Sequence, residues 1–239
     1  MRNASTCWKN LWDRVLDLLF PPRCPCCGTV TEAGAVCPDC EQKLPWIEGD
    51  ASVRVLEDGL LCCGPLWYEG VAREAILALK FQGRSSGAKP LGEWIAACAA
   101  ERFSGEFDVV AWVPVSQKRR RSRGYDQAEL LARSACRLWE TEPQPLLEKL
   151  QDNPAQSGLN DAAARRANVQ GVYRVREGAD VVGRRILLVD DVCTTGSTLS
   201  ECASTLRAAG AEEVVCAVAA LTRFRSRKGA DPGQEPAEG

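Results

Sequence analysis

Residues 186–198, ILLVDDVCTTGST, restrict the fold of this chain more than any other stretch. Ile186, Leu187, Leu188 and Val189 form an uninterrupted apolar run with two β-branched members, the composition of a strand covered on both faces of a parallel sheet. The run is expected to end exposed at Asp190 and Asp191. Beyond them Thr194, Thr195, Gly196, Ser197 and Thr198 supply backbone N–H groups and hydroxyls where a helix would begin, with Leu199, Cys202 and Leu206 as its buried stripe. Ligands of open α/β sheets bind beyond the carboxyl ends of the strands. Two acids there can accept hydrogen bonds from vicinal hydroxyls or meet a divalent cation, and a helix start with such a collar attracts a dianionic phosphate. Ordinary helix capping uses the same residue types. A Walker loop is excluded, because it needs a Lys before its hydroxyl residue.

The surrounding pattern agrees with an α/β fold. Val71, Ala75, Ile76 and Leu79 mark a helix that ends near Phe81-Gln82-Gly83, and Leu91, Trp94, Ile95 and Cys98 mark another. Residues 108–115, DVVAWVPV, read as a buried strand, and 126–139 as a helix with Ala128, Leu131 and Leu138 on its stripe. Val172–Val175 is a short strand. Val214–Leu221 is a longer one, after a helix that stops at Gly210. Helices alternating with buried strands predict a mostly parallel sheet with both faces covered.

The 239 residues can bury one substantial core and carry a small appendage. Thirty basic residues against thirty-two acidic ones give a net charge of −2, which offers no global attraction to nucleic acid. The absence of histidine excludes His-based triads, His metal ligands and imidazole acid/base chemistry. The thirteen cysteines are odd in number and several stand alone in apolar runs, which points to a reducing cytoplasm. The start of the chain lacks signal-peptide architecture, and no apolar stretch reaches the roughly twenty residues of a transmembrane helix.

Cys24, Cys27, Cys37 and Cys40 fall in two Cys-x-x-Cys knuckles separated by nine residues. Four thiolates so spaced can close a tetrahedral Zn²⁺ site with no open position, so the metal would be structural. Cys26 is a competing ligand, and redox pairs are the alternative use. Cys62 and Cys63 belong to an expected strand, LLCCGPLWY. Cys193 stands inside the collar segment, where a helix start would lower its pKa. Trp8, Leu11, Trp12, Val15, Leu16 and Leu19 outline an amphipathic helix over 1–20, followed by the ribbon over 21–60, the main domain over 61–227 and a disordered tail over 228–239.

Residues 114–127, PVSQKRRRSRGYDQ, read as a basic loop after a strand, with Lys118, Arg119, Arg120, Arg121 and Arg123 in six positions. Such a loop is a solvated surface, a nucleic-acid contact or a second anion site beside the collar. Residues 152–171 form a polar linker or a lid, with Gln156, Arg165, Arg166 and Asn168 as candidate ligand contacts.

Taken together, CPCCG with CPDC, WYEGVAREAILALKFQGR, VPVSQKRRRSRGYDQAELLAR, PAQSGL with ARRANVQG, and LLVDDVCTTGSTL resemble the ComF family across nearly the full length. That family joins zinc ribbons to a type I phosphoribosyltransferase domain, and some members are described as amidophosphoribosyltransferase-like. The last segment resembles the binding signature for phosphoribosyl pyrophosphate (PRPP). The resemblance implies that Asp190 and Asp191 contact the ribose hydroxyls of PRPP bound with Mg²⁺, and that residues 194–198 hold its 5-phosphate. Lys118, Arg119, Arg123 and Gln156 would then serve the pyrophosphate end, while displacement at C1 transfers the phosphoribosyl group to an acceptor. Through natural competence it also implies single-stranded DNA, and a helicase or recombination protein, as partners. A non-catalytic DNA- or protein-binding adaptor is the rival role. This chain departs from the family at Asp126, where relatives carry Asn, and at Lys149-Leu150-Gln151-Asp152-Asn153, where relatives are Arg-rich. Both changes remove positive charge or donors near the expected pyrophosphate. A second zinc ribbon, present in many relatives, is not evident.

Overall fold

A computed structural model describes residues 23–31, 35–150 and 171–223. The helix expected over 1–20, Gln156 with nearly all of the lid, and the tail over 228–239 lie outside those residues.

The described chain opens on the two cysteine knuckles, the second carried by the short helix α1 (Pro38–Glu41). Strands β1 (Val53–Val55), β2 (Leu61–Cys63) and β3 (Leu66–Trp67) follow. Then come helices α2 (Gly70–Phe81) and α3 (Ala88–Arg102), strand β4 (Val109–Trp112), and helices α4 (Gln117–Arg123) and α5 (Gln127–Cys136). A hairpin pairs β5 (Leu147–Lys149) antiparallel with β6 (Tyr173–Val175). Strand β7 (Arg185–Cys193), helix α6 (Ser197–Ala208) and strand β8 (Glu213–Leu221) complete it.

The main sheet runs β1-β2-β8-β7-β4, with β3 also on β8. Every pairing is parallel except β1 with β2. The apolar run therefore becomes a central strand as its composition requires, Ile186, Leu187, Leu188 and Val189 all being fully buried. Side chains of a strand alternate between faces, and the core divides accordingly. Leu187 and Val189 pack with Val110, Trp112 and the inward stripes of α2, α3 and α5. Ile186 and Leu188 pack with Ala111, the α6 stripe of Leu199, Cys202 and Leu206, and the β5–β6 hairpin. Strand β1, on the ribbon side of the boundary expected at residue 60, belongs to this sheet.

Three local readings change. The basic loop is a helix: Ser116 caps α4 by accepting from Arg119 N at 3.2 Å, and Gly124 ends it at φ 83°. The helix expected to reach residue 139 stops at Cys136, where a 3₁₀ turn takes over and leaves Leu138 half exposed. Strand β7 continues past Val189 to Cys193, so the two acids lie within it rather than exposed beyond it, and Asp191 is buried.

Candidate functional site

Because β4 pairs directly with β7, in the register Trp112 opposite Val189, the turn after β4 lies beside the acids and the collar. A cavity of about 270 Å³ opens at these strand ends. Its wall includes Lys80, Arg119, Gln127, Asp190, Asp191 and Thr198. A smaller lobe of about 40 Å³ continues from Asp190 into the collar of Thr194–Thr198.

Residence within β7 splits the acid pair. Asp191 shares the face of Leu187 and Val189, which α2, α3 and α5 cover, and Asp190 shares the α6 face. Asp191 is held on both oxygens. Lys80 Nζ is 2.7 Å from Oδ1, and Gln127 Nε2 donates to Oδ2 at 3.0 Å. Burial works to lower the Lys80 pKa, but its ion pair and hydrogen bond with Asp191 outweigh that and raise it. Asp190 accepts the Asp191 N–H at 2.7 Å. Desolvation pushes its carboxyl well above the usual carboxylate range, and the adjacent Asp191 adds to the rise while Lys80 opposes it.

The collar is built from below. Gly196 adopts φ 81° and is the N-cap of α6 without a side-chain cap, and the first-turn N–H groups of a helix have no intrahelical acceptors. Thr195 Oγ1 lies 2.9 Å from Ser197 Oγ and accepts Ser197 N at 3.4 Å. Underneath, the buried Arg54 of β1 donates to the carbonyls of Cys193 at 3.3 Å and Thr194 at 3.1 Å, and to that of Thr222. Their oxygens are thereby turned down toward the guanidinium, away from the lobe where an anion would sit.

Of the basic residues singled out in the sequence, Arg119 reaches the cavity wall and Lys118 does not. Arg123 donates to Gln127 Oε1 and lies 5.2 Å over the Phe81 ring, so it braces Gln127 from behind. Asp126 also faces inward. Its Oδ1 caps α5 by accepting Ala128 N at 3.0 Å and Glu129 N at 3.3 Å, and its Oδ2 accepts Val115 N at 2.9 Å. An Asn in that position would turn its amide group toward one of these donors, so Asp suits the three backbone N–H groups here, while its charge acts through space on Asp190.

The ribbon cysteines meet the requirements of a metal. The sulfur atoms of Cys24, Cys27, Cys37 and Cys40 all lie within 4.8 Å of one another, with Cys27 and Cys37 at 3.6 Å. Tetrahedral Zn–S bonds of about 2.3 Å require sulfur separations near 3.8 Å. Cys37 N approaches Cys24 Sγ at 3.5 Å, a donor suited to a thiolate. Cys26 is buried outside the quartet, packed with Cys24 and Cys40 against Ala75 and Val71 of α2. No other cysteine, aspartate or glutamate cluster among the described residues could enclose a metal, and four sulfur ligands with no open position fit a structural zinc ion.

Residues 15–54 match the family described as "Double zinc ribbon domain" and residues 142–235 match "Phosphoribosyl transferase domain". "Competence protein F" of Haemophilus influenzae is 37% identical over 43% of this chain and 45% of its own length. "DNA utilization protein YhgH" of Escherichia coli O157:H7 is 31% identical over 80% of each chain. The chain belongs to the ComF family. "Competence protein ComFC" of Streptococcus pneumoniae extends the match to 90% of this ComF chain and 87% of its own length, at 26% identity.

Sequence reasoning missed Lys80, Gln127 and Arg54 as parts of this candidate site. Lys80 left a signal, since it follows Ile76 by four residues and so stands on the apolar stripe of α2, where a charge needs a partner. Arg54 left none, because its acceptors are carbonyls more than a hundred residues away.

Proposed function

We propose that this ComF protein binds PRPP as its Mg²⁺ complex at the ends of β4 and β7, and presents C1 of the ribose to a nucleophilic acceptor. The observation that carries the reading is the two-lobed cavity, with the helix-start collar around its smaller lobe, Asp190 shared by both lobes, and the cations Lys80 and Arg119 beside Asp191 on the wall of the larger one. Thr194, Thr195, Gly196, Ser197 and Thr198 would hold the 5-phosphate through N–H groups and hydroxyls. Asp190 and Asp191 would take the ribose hydroxyls. Mg²⁺ would arrive on the pyrophosphate, since two carboxylates do not make a cage for it and it commonly keeps substrate phosphates as ligands. In the transfer, the acceptor's lone pair forms a bond to C1 while the C1–O bond breaks. Its electron pair leaves with pyrophosphate, and the proton lost by the acceptor passes to solvent. Arg119 would meet the charge gathering on the leaving oxygens, with Gln156 as a further candidate contact and Arg123 contributing through Gln127, while Lys118 stands off the cavity wall. Buried cysteines outside the zinc quartet that form no disulfide, such as Cys136, Cys202 and Cys216, support a reducing cytoplasm.

The test is calorimetric titration of PRPP with Mg²⁺ into zinc-loaded protein, beside Asp190→Asn/Asp191→Asn. Saturable binding that disappears in the variant supports the reading; a folded, zinc-loaded protein that takes up no PRPP refutes it.

A second role, as a single-stranded DNA adaptor in natural transformation, has one observation in its favour. Lys118 and Arg121 project exposed from α4 and make no ion pair among the described residues, so that helix offers a backbone-phosphate contact outside the cavity. Neutralising both should weaken oligonucleotide binding and leave PRPP affinity unchanged. A helicase or recombination protein would then be the downstream partner.

A further inference from the structure

We infer that Lys80 is a ligand-contacting residue of the cavity, holding the pyrophosphate group at the end opposite the collar. The inference deepens the PRPP reading and rests on it.

Three observations place Lys80 in that role. Its ammonium closes the cavity wall from the last turn of α2. An ammonium carries three donors; Lys80 gives one to Asp191 Oδ1 at 2.7 Å, feels Asp190 only through space, and makes no other hydrogen bond among the described residues. The others are available to an anion in the cavity. Finally, its position relative to the sheet is decisive. The collar begins α6, on the face of Ile186 and Leu188, whereas Lys80, Gln127 and Asp191 meet on the face of Leu187 and Val189. A ligand with its 5-phosphate in the collar therefore crosses the end of β7, and whatever it carries on C1 arrives at Lys80. Ribose 5-phosphate fills only the collar half, and PRPP fills both.

The ion pair also explains how a lysine is kept there before any ligand arrives. Burying an ammonium without a counter-charge is costly, and Asp191 removes that cost while leaving donors toward the cavity. On binding, pyrophosphate oxygens would share the ammonium with Asp191.

The test compares zinc-loaded wild type with Lys80→Gln, titrated with PRPP–Mg²⁺ and separately with ribose 5-phosphate. The assignment expects PRPP affinity to fall about tenfold or more, equivalent to at least about 1.4 kcal/mol, with ribose 5-phosphate affinity kept within about threefold. Equal loss of both ligands would make Lys80 only a prop for Asp191 and would overturn the assignment, as would unchanged PRPP affinity. Wild-type protein that binds neither ligand would overturn the PRPP reading itself and the assignment with it, a result read before any variant is made. If Lys80→Gln does not fold because Asp191 is left unpaired, Lys80→Gln/Asp191→Asn replaces the pair by neutral groups of similar shape. In that background the ratio of PRPP to ribose 5-phosphate affinity should still fall tenfold, and an unchanged ratio would again overturn it.

Discussion

The collar depends on a close approach that a single methyl group should break. Gly196 has φ 81°, and a β-carbon built there would lie 2.6 Å from Leu56 Cδ1 and 2.7 Å from Leu56 Cδ2. Leu56 is buried in the core beneath α6 and has little room to move aside. For Gly196→Ala two costs add: about 1–2 kcal/mol for an L-residue in the left-handed region, and about 1–3 kcal/mol for overpacking. The expected total is about 2–5 kcal/mol, a large share of the roughly 5–15 kcal/mol that holds a domain together. Urea denaturation of zinc-loaded protein measures it. Leu56→Ala separates the two costs. Alone it should cost about 2–5 kcal/mol as a cavity, but in combination with Gly196→Ala it removes the clash and leaves the backbone strain. The double variant should therefore be more stable than the sum of the singles by about 1–3 kcal/mol. Additivity within about 0.5 kcal/mol, or a Gly196→Ala cost below that value, would refute the view that β1 and Leu56 shape the collar.

Gly92→Ala should destabilise by about 3 kcal/mol, at the upper end of overpacking costs, because its β-carbon would fall 2.5 Å from Ser134 Cβ and 2.7 Å from the Leu131 carbonyl oxygen. On an open helix surface the same change would stabilise by up to about 1 kcal/mol, so the sign of the shift in a thermal melt decides whether α3 and α5 pack this closely. Zinc should bind at one ion per chain; Cys37→Ser should lose it and Cys26→Ser should keep it, as read by a colorimetric metal assay. Asp190 carries a raised folded-state pKa, so the free folded protein binds more protons than the unfolded chain above the ordinary carboxylate value of about 3.9. Stability should fall as pH rises through that window, and Asp190→Asn should flatten the fall. Binding of the Mg²⁺ complex favours the ionised form and should release a proton, seen as a buffer-dependent calorimetric enthalpy that Asp190→Asn abolishes.

The parts of the fold legible in the sequence were those set by local periodicity. The run Ile186–Val189 could only be a strand buried on both faces, and the stripes of α2, α3 and α6 are spaced for one inward face each. The knuckles were legible because cysteine spacing states a ligand geometry directly. What could not be read was set by pairing across long separations. A run of five basic residues in six positions suggests a loop, since like charges repel along a helix. Here Ser116 and Gly124 cap the turn from each end, Arg120 pairs with Glu129 at 3.1 Å, and Arg123 leans on Phe81. The adjacency of β4 and β7 likewise lies in the register of the sheet and not in either segment.

The divided acid pair shows why that register matters for chemistry. As neighbours at the end of a strand, Asp190 and Asp191 would be two equivalent carboxylates competing for one hydroxyl pair or one cation. Continuing the strand by a few residues gives each acid a different face and so a different environment. Asp191 takes Lys80 and Gln127, whereas Asp190 keeps a desolvated carboxyl at the junction of the two lobes, with the Asp191 N–H as its hydrogen bond. The consequence is an ordering of effects. Asp191→Asn leaves Lys80 without its counter-charge, so it should damage folding and ligand binding together. Asp190→Asn spares that network, so it should reduce binding of a ribose phosphate while the melting temperature holds or rises, since Asn stays neutral in the desolvated position without taking up a proton. Equal loss of stability in the two single variants would contradict the division and return the pair to equivalence.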